Sequence, residues 1–186
     1  FGQAGKRVII EGFLQGREIS LLVFLDGKNF VPMITAQDYK RALDNDQGLN
    51  TGGMGAISPS PIYSKELDKR VLDEIIKPTL HGIKSENLEY RGVLYFGLMI
   101  TNEGPKVLEY NVRFGDPETQ VILPRLDSDL VEIFLDVVED RLSQERIKWK
   151  EDKAITIVLA SGGYPQDYEK GKLIKGLEKK EEVSIF

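Results

Sequence analysis

Residues 92–100, GVLYFGLMI, form an uninterrupted run of nine apolar, aromatic or glycine residues without a charge. A membrane span needs about 20 such residues, so the run reads as a strand buried inside a soluble domain. Asn102-Glu103-Gly104 supplies a turn, and residues 106–113 supply a returning strand. This apolar hairpin constrains the rest of the fold, because a strand of that character must be covered by other elements.

Candidate partners lie on both sides of it. Residues 8–14 (VIIEGFL) and 18–25 (EISLLVFL) read as strands around the turn Gln15-Gly16-Arg17. Asp26-Gly27 is a hairpin turn signal, and residues 29–35 would return from it, with Pro32 marking an edge or a bulge. Residues 64–84 predict an amphipathic helix capped by Ser64, with Leu67, Val71, Leu72, Ile75 and Ile76 on one face and a break or kink at Pro78. Residues 127–142 predict a second amphipathic helix, and residues 154–160 begin another strand that Gly162-Gly163-Tyr164-Pro165 breaks. His81, the sole histidine, reads as a surface or capping residue, and Trp149 as packing for a domain junction. The fold class is therefore α+β. The expected division is 1–126, a helix and linker at 127–150, and the start of a further domain at 151–186. Phe1 falls in what reads as a loop and Phe186 closes an apparent strand, so the natural chain is expected to extend past both ends.

The chain has 186 residues, no cysteine and a formal net charge of −5. Disulfides, thiolate chemistry and cysteine zinc sites are excluded. The acidic balance argues against nucleic acid held by bulk electrostatics, and the absence of cysteine fits a cytoplasmic enzyme. A local basic site for a phosphorylated small molecule remains compatible with this charge.

Residues 107–120, VLEYNVRFGDPETQ, carry the densest chemistry. Strand alternation puts Glu109, Asn111 and Arg113 on one face and Leu108, Tyr110 and Val112 on the other, toward the core. The same spacing also describes a solvated face in which Glu109 and Arg113 form a weak surface pair. Beyond the strand, Asp116 and Glu118 share a tight turn with Thr119 and Gln120, a cluster that needs charge partners or a ligand. Carboxylate and carboxamide oxygens suit Mg²⁺, and an arginine beside them suits a phosphoryl group. Residues 37–61 interrupt the apolar pattern with QDYKR (37–41) and NTGGMGA (50–56), which read as one long functional loop. Its glycines would let the backbone approach an anion and offer N–H groups to it.

Glu109-x-Asn111-x-Arg113 after an apolar hairpin resembles the metal-binding strand of ATP-grasp enzymes. The strings EYNVRFGDPETQ, QDYKR and NTGGMGA are similar to those of the glycinamide ribonucleotide synthetase family. Residues 8–18, VIIEGFLQGRE, resemble the nucleotide hinge of the same superfamily. The likeness runs from about residue 5 to about residue 176 and implies the second lobe of an ATP-grasp domain followed by the start of a C-terminal domain.

It implies ATP with Mg²⁺ or Mn²⁺, the metal held by Glu109 and Asn111. The strand VLYFGLMI offers no carboxylate, so a third protein ligand is not expected. It implies nucleotide contacts from Glu11, Gly12, Leu14 and Glu18, with Glu18 on the ribose, and catalytic roles for Arg113, Asp116 and Glu118. Asp38, Lys40, Arg41, Asn50, Thr51, Gly52 and Gly53 would contact glycine and 5-phosphoribosylamine. The alternatives are a ligase for another carboxylate, such as a biotin carboxylase-like enzyme, or a non-catalytic nucleotide-binding fragment. The second follows because the lysine-bearing lobe that would grip ATP from the other side belongs upstream.

Overall fold

A four-stranded antiparallel sheet of order β2-β1-β7-β8 is the frame, in a computed structural model that describes residues 2–178 and 183–186. Its strands are β1 (Arg17–Leu25), β2 (Phe30–Pro32), β7 (Gly92–Thr101) and β8 (Gly104–Asn111). β1 pairs with β7 over nine consecutive residues, from Arg17 opposite Ile100 to Leu25 opposite Gly92. Both strands are apolar along most of their length because both faces of the sheet are covered. Ile19, Leu21 and Val23 meet Val71, Ile75 and Ile76 of the helical segment on one face. Leu22, Phe24 and Tyr95 meet Val121, Ile122, Ile133 and Val137 on the other. Pro32 lies in the edge strand β2, where its missing N–H costs no ladder bond.

The helical segment contains α1 (Lys65–Val71) and α2 (Lys77–Ser85). The Ser64 side chain accepts from Leu67 N at 3.1 Å and caps the start, as the sequence predicts. Pro78 does not end the segment. A π-helical turn at Leu72–Ile76 stands immediately before it, and such a wide turn eases the clash of a proline ring with the preceding carbonyls. His81 is exposed on α2. α3 (Thr119–Ile122) and α4 (Leu130–Val138) close the opposite face, and Asp129 caps α4 through Val131 N at 2.7 Å. The predicted helix 127–142 is therefore shorter, because Asp129 takes the cap and cannot also continue the helix. Trp149 packs against the α4-side core and bridges to Leu126.

Three expectations are corrected. Residues 8–14 form no strand: Val8, Ile9, Ile10 and Phe13 are exposed, Ile10 at 93%, and no neighbouring strand pairs with them among the described residues. An apolar run becomes a strand only when a partner takes its backbone groups. Residues 37–61 are not one loop. They contain β3 (Gln37–Asp38), β4 (Arg41–Leu43), β5 (Gln47–Asn50) and β6 (Gly55–Ser58), elements too short for a period to show. Residues 183–186 carry no strand, and Phe1 lies outside the described residues.

β3, β6 and β9 (Ala154–Ile157) make a second sheet, in which β6 is central and antiparallel to both neighbours. Backbone bonds between Ser20 and Ala36, 2.9 and 3.0 Å, tie that sheet to β1. β4 and β5 form a separate, largely exposed hairpin.

Candidate active site

The two sheets meet at a cleft whose walls include Glu18, Ser20, Asp38, Lys40, Tyr95 and Glu109. Four separate stretches of sequence converge there, and local features bring each one in.

Glu109 reaches the cleft through a bulge. Gly97 opposes Glu109 and Leu98 opposes Val107, so Leu108 is an extra residue in β8. Without it, Glu109 would share the face of Val107, which packs against the helical segment. The bulge turns Glu109 to the side of Tyr95 and corrects the expectation for Leu108, which lines the cleft instead of the core. Gly97 makes the space: a Cβ there would lie 2.9 Å from Cγ of Glu109. Beyond the bulge the alternation resumes. Asn111 Nδ2 donates to Glu109 Oε1 at 3.1 Å, and Arg113 Nη2 lies 3.5 Å from Asn111 Oδ1. Arg113 Nη1 also donates to the Phe114 carbonyl at 2.7 Å. Tyr110 faces the opposite way, edge-on to Phe96 and bonded to Thr79. Val112 is exposed, so the apolar face ends with the strand's pairing at Asn111.

The turn after β8 is fixed from below. Glu118 is only 3% exposed, and its Oε1 accepts from Ser20 Oγ at 2.8 Å and from Tyr95 Oη at 2.9 Å. Charge-assisted bonds of this kind offset part of the cost of burying a carboxylate. Burial, with Glu118 beside it, pushes the Tyr95 hydroxyl pKa upward, so the ring stays a neutral donor. A Cβ on Gly115 would collide with the Glu118 carboxylate, so Gly115 lets the chain pass over it. Asp116 Oδ1 accepts from Gln120 Nε2 at 2.7 Å and stays on the outer side of the turn.

Lys40 and Glu18 form the electrostatic link across the cleft, Nζ to Oε2 at 2.9 Å. Burial works to lower the Lys40 pKa, but the bond to Glu18 and the charges of Glu18, Asp38 and Glu109 outweigh it, and the net shift is upward. Asp38 goes the other way from an ordinary carboxyl. Burial and then the Glu118 charge push it up to about 7, against the pull of Lys40. Its Oδ1 is buried without a hydrogen-bond partner.

The glycine-rich stretch stands next to Asp38. Gly53 has φ +124°, and a Cβ there would lie 2.4 Å from Pro117 Cδ and 2.8 Å from Asp38 Oδ1. Only glycine lets the loop and the 114–120 turn pack on each other at this point. The sequence implied that this loop offers its N–H groups to an anion, whereas those of residues 51–54 are bonded within the protein. Thr51 N donates to the Lys40 carbonyl, Gly52 N to Tyr164 Oη, Gly53 N to Thr51 Oγ1 and Met54 N to the Tyr39 carbonyl. A loop with this many donors folds on itself where acceptors are close. Arg41 donates to the Gly48 carbonyl at 2.8 Å, and Asn50 pairs with Arg41 across the β4–β5 hairpin.

Glu11, Gly12 and Leu14 lie on the segment before β1, with Glu11 and Gly12 exposed and Leu14 half-buried. Gly16 seats that segment against the Ile100 carbonyl at the end of β7. Ser20, Tyr95 and Tyr164 are site residues that sequence reasoning missed. Nothing in a strand's apolar alternation marks Ser20 or Tyr95, whereas GGYP did flag a turn at Tyr164.

Glu109 and Asn111 suit a divalent cation as a pair of adjacent oxygen donors. Among the described residues, no group of three or more His, Cys, Asp or Glu side chains is placed to hold a metal. A Mg²⁺ shell completed by water and phosphate oxygens fits that donor set. Among the same residues, no helix is long and apolar enough to cross a membrane.

Residues 1–119 match the family described as phosphoribosylglycinamide synthetase, ATP-grasp (A) domain. Phosphoribosylamine–glycine ligase of Vibrio parahaemolyticus is 53% identical over 178 residues, which is 95% of this chain and 42% of that protein. The chain thus spans less than half the length of such relatives. The crystal structure of phosphoribosylamine–glycine ligase from Thermotoga maritima superposes with a TM-score of 0.75 at 40% identity, over 86% of this chain and 40% of that one. A biotin carboxylase from Campylobacter jejuni gives 0.56 at 19% identity over 78% of this chain and 30% of that one, a likeness of fold alone.

Proposed function

Since the chain belongs to the phosphoribosylglycinamide synthetase family by its match to the ATP-grasp (A) domain, we propose that it is the metal- and substrate-facing lobe of an ATP-dependent ligase joining glycine to 5-phosphoribosylamine. The carrying observation is the convergence of Glu18, of Asp38 with Lys40, of Tyr95 and of Glu109 on one cleft, from four separate stretches of sequence.

In this reading the glycine carboxylate attacks the γ-phosphorus of ATP, ADP leaves, and glycyl phosphate forms. The sugar amine then attacks its carbonyl, phosphate leaves, and glycinamide ribonucleotide results. The lobe contributes positioning and charge neutralisation. Glu11, Gly12 and Leu14 present backbone to the adenine edge. Glu18, already oriented by Lys40, takes the ribose hydroxyls. Lys40, Arg41 and Arg113 supply cations near the phosphoryl and acyl oxygens. Asp38, Asn50, Thr51, Gly52 and Gly53 shape the side of the cleft facing glycine and the sugar phosphate. Asp116 flanks that side, and Glu118 acts from beneath through Ser20 and Tyr95. Glu109 and Asn111 would hold Mg²⁺ or Mn²⁺, which on binding neutralises phosphate charge. The division at 126 and 150 is part of the proposal, with β9 hydrogen-bonded to β6 across it.

The test is ADP release dependent on both glycine and 5-phosphoribosylamine by the full-length protein containing this chain. Glu109→Ala and Asn111→Ala should each raise the Mg²⁺ requirement and cut turnover sharply. The 186-residue chain alone should give no such turnover. Wild-type Mg²⁺ dependence in both variants would refute the metal assignment, and turnover by the isolated chain would refute the one-lobe reading.

A further inference from the structure

The segment after β9 returns to the glycine-rich loop, and one hydroxyl makes the connection. Gly52 N donates to Tyr164 Oη at 3.2 Å, across 112 residues of sequence. The N–H groups of Thr51, Gly53 and Met54 are held locally, by the Lys40 carbonyl, Thr51 Oγ1 and the Tyr39 carbonyl. Gly52 is therefore the point at which a distant element takes hold of the loop. A second tie, Val158 N to the Met54 carbonyl at 3.0 Å, fixes the same loop to the strand that leads into this segment.

The loop cannot shift at Gly52 without consequence at Gly53, the next residue. Gly53 is wedged between Pro117 and Asp38 with no room for even a methyl group. Pro117 belongs to the turn that carries Glu118, and Asp38 lines the cleft. A displacement at Gly52 toward that side bears on those two neighbours, because close-packed groups transmit strain. Tyr164 itself packs edge-on against Tyr168, ring centroids 5.4 Å apart, a contact in which the loop takes no part.

We propose that Tyr164 is a positioning residue for the substrate side of the cleft: its hydroxyl sets the loop at Gly52, and the wedge at Gly53 passes that setting to Asp38 and Pro117. The proposal rests on the ligase reading above for its kinetic consequence, though not for the coupling itself. Tyr164 touches no reacting atom. Its effect falls first on the side of the cleft lined by Asp38, whereas the nucleotide segment is seated on β7 through Gly16.

The experiment uses Tyr164→Phe in the full-length protein, a change that removes the hydroxyl and keeps the ring. Losing one neutral hydrogen bond that orients the loop should raise KM for glycine or 5-phosphoribosylamine about 2- to 10-fold, with KM for ATP and the melting temperature unchanged. Amide exchange at Gly52 and Gly53 should quicken in the variant, and exchange along β1 and β7 should not. Unchanged KM for both substrates, or a parallel rise for ATP, would overturn the positioning role. Unchanged exchange at Gly52 would overturn the coupling. If wild-type protein shows no glycine-dependent turnover, the ligase reading fails. The exchange measurement then still decides whether Tyr164 holds the loop.

Discussion

Gly52 and Gly53 are adjacent and look interchangeable in sequence, yet the structure assigns them opposite tolerance to an added methyl group. At Gly53 two costs combine. Its φ of +124° is one that L side chains rarely adopt, and holding a non-glycine residue in such a region costs about 1–3 kcal/mol. The new Cβ would also sit 2.4 Å from a proline ring carbon and 2.8 Å from a buried carboxylate oxygen. Overpacking of that kind costs about 1–3 kcal/mol more. Gly53→Ala should therefore lose roughly 2–6 kcal/mol, a large share of the ~5–15 kcal/mol that holds a domain folded. At Gly52 the φ is ordinary, and the nearest atom to a Cβ is the Tyr164 hydroxyl at 3.6 Å, in normal contact. There the loss of unfolded-chain entropy works in favour of alanine by about 0.4–1 kcal/mol, so Gly52→Ala should be neutral or slightly stabilising. Urea unfolding of both variants beside wild type reads the difference directly. A Gly53→Ala loss below about 1 kcal/mol, or equal effects at the two positions, would refute the wedge between Pro117 and Asp38.

Further outcomes are expected from the titratable groups and the cleft. Asp38 has a folded-state pKa of about 7, above its ordinary 3.8. Its stabilising contribution is thus complete below pH ~4 and lost as pH rises through 7. Asp38→Asn should remove that part of the stability-versus-pH curve and leave the variant relatively more stable at pH 8. Parallel curves for the two proteins would contradict the burial of Asp38. Asp26 is fully buried and accepts from Lys28 N, Asn29 N, Asn29 Nδ2 and Leu142 N. Burial raises its pKa, but these bonds together lower it further, so its contribution is present above its ordinary pKa and fades as pH falls through the depressed value. Asp26→Ala should cost about 1.5–3 kcal/mol or more in thermal unfolding at pH 7, with a smaller cost in acid. Glu18→Ala should weaken ATP binding by about 1.5–3 kcal/mol and leave glycine affinity nearly unchanged. A calorimetric titration of the full-length protein with unaltered ATP affinity would remove Glu18 from the ribose.

What the sequence determined was local and periodic. The runs 18–25 and 92–100 had to be central strands, since no other placement removes so many consecutive apolar side chains from water. Ser64 had to cap a helix, and a period of two placed Glu109, Asn111 and Arg113 together whatever lay around them. The tertiary structure decided which way that row faces. The extra residue Leu108 turns it from the helical core to the cleft, and a bulge is set by the pairing of two strands and not by either one. Pairing also decided against a strand at 8–14, where apolar side chains alone were not sufficient. The tertiary structure likewise closed the glycine loop onto Tyr39, Lys40 and Tyr164 and wedged Gly53 against Pro117. It also brought Ser20 and Tyr95 to Glu118, 98 and 23 residues apart in the chain. Hydrogen bonds and close contacts depend on distance in space, and a sequence records distance only along the chain.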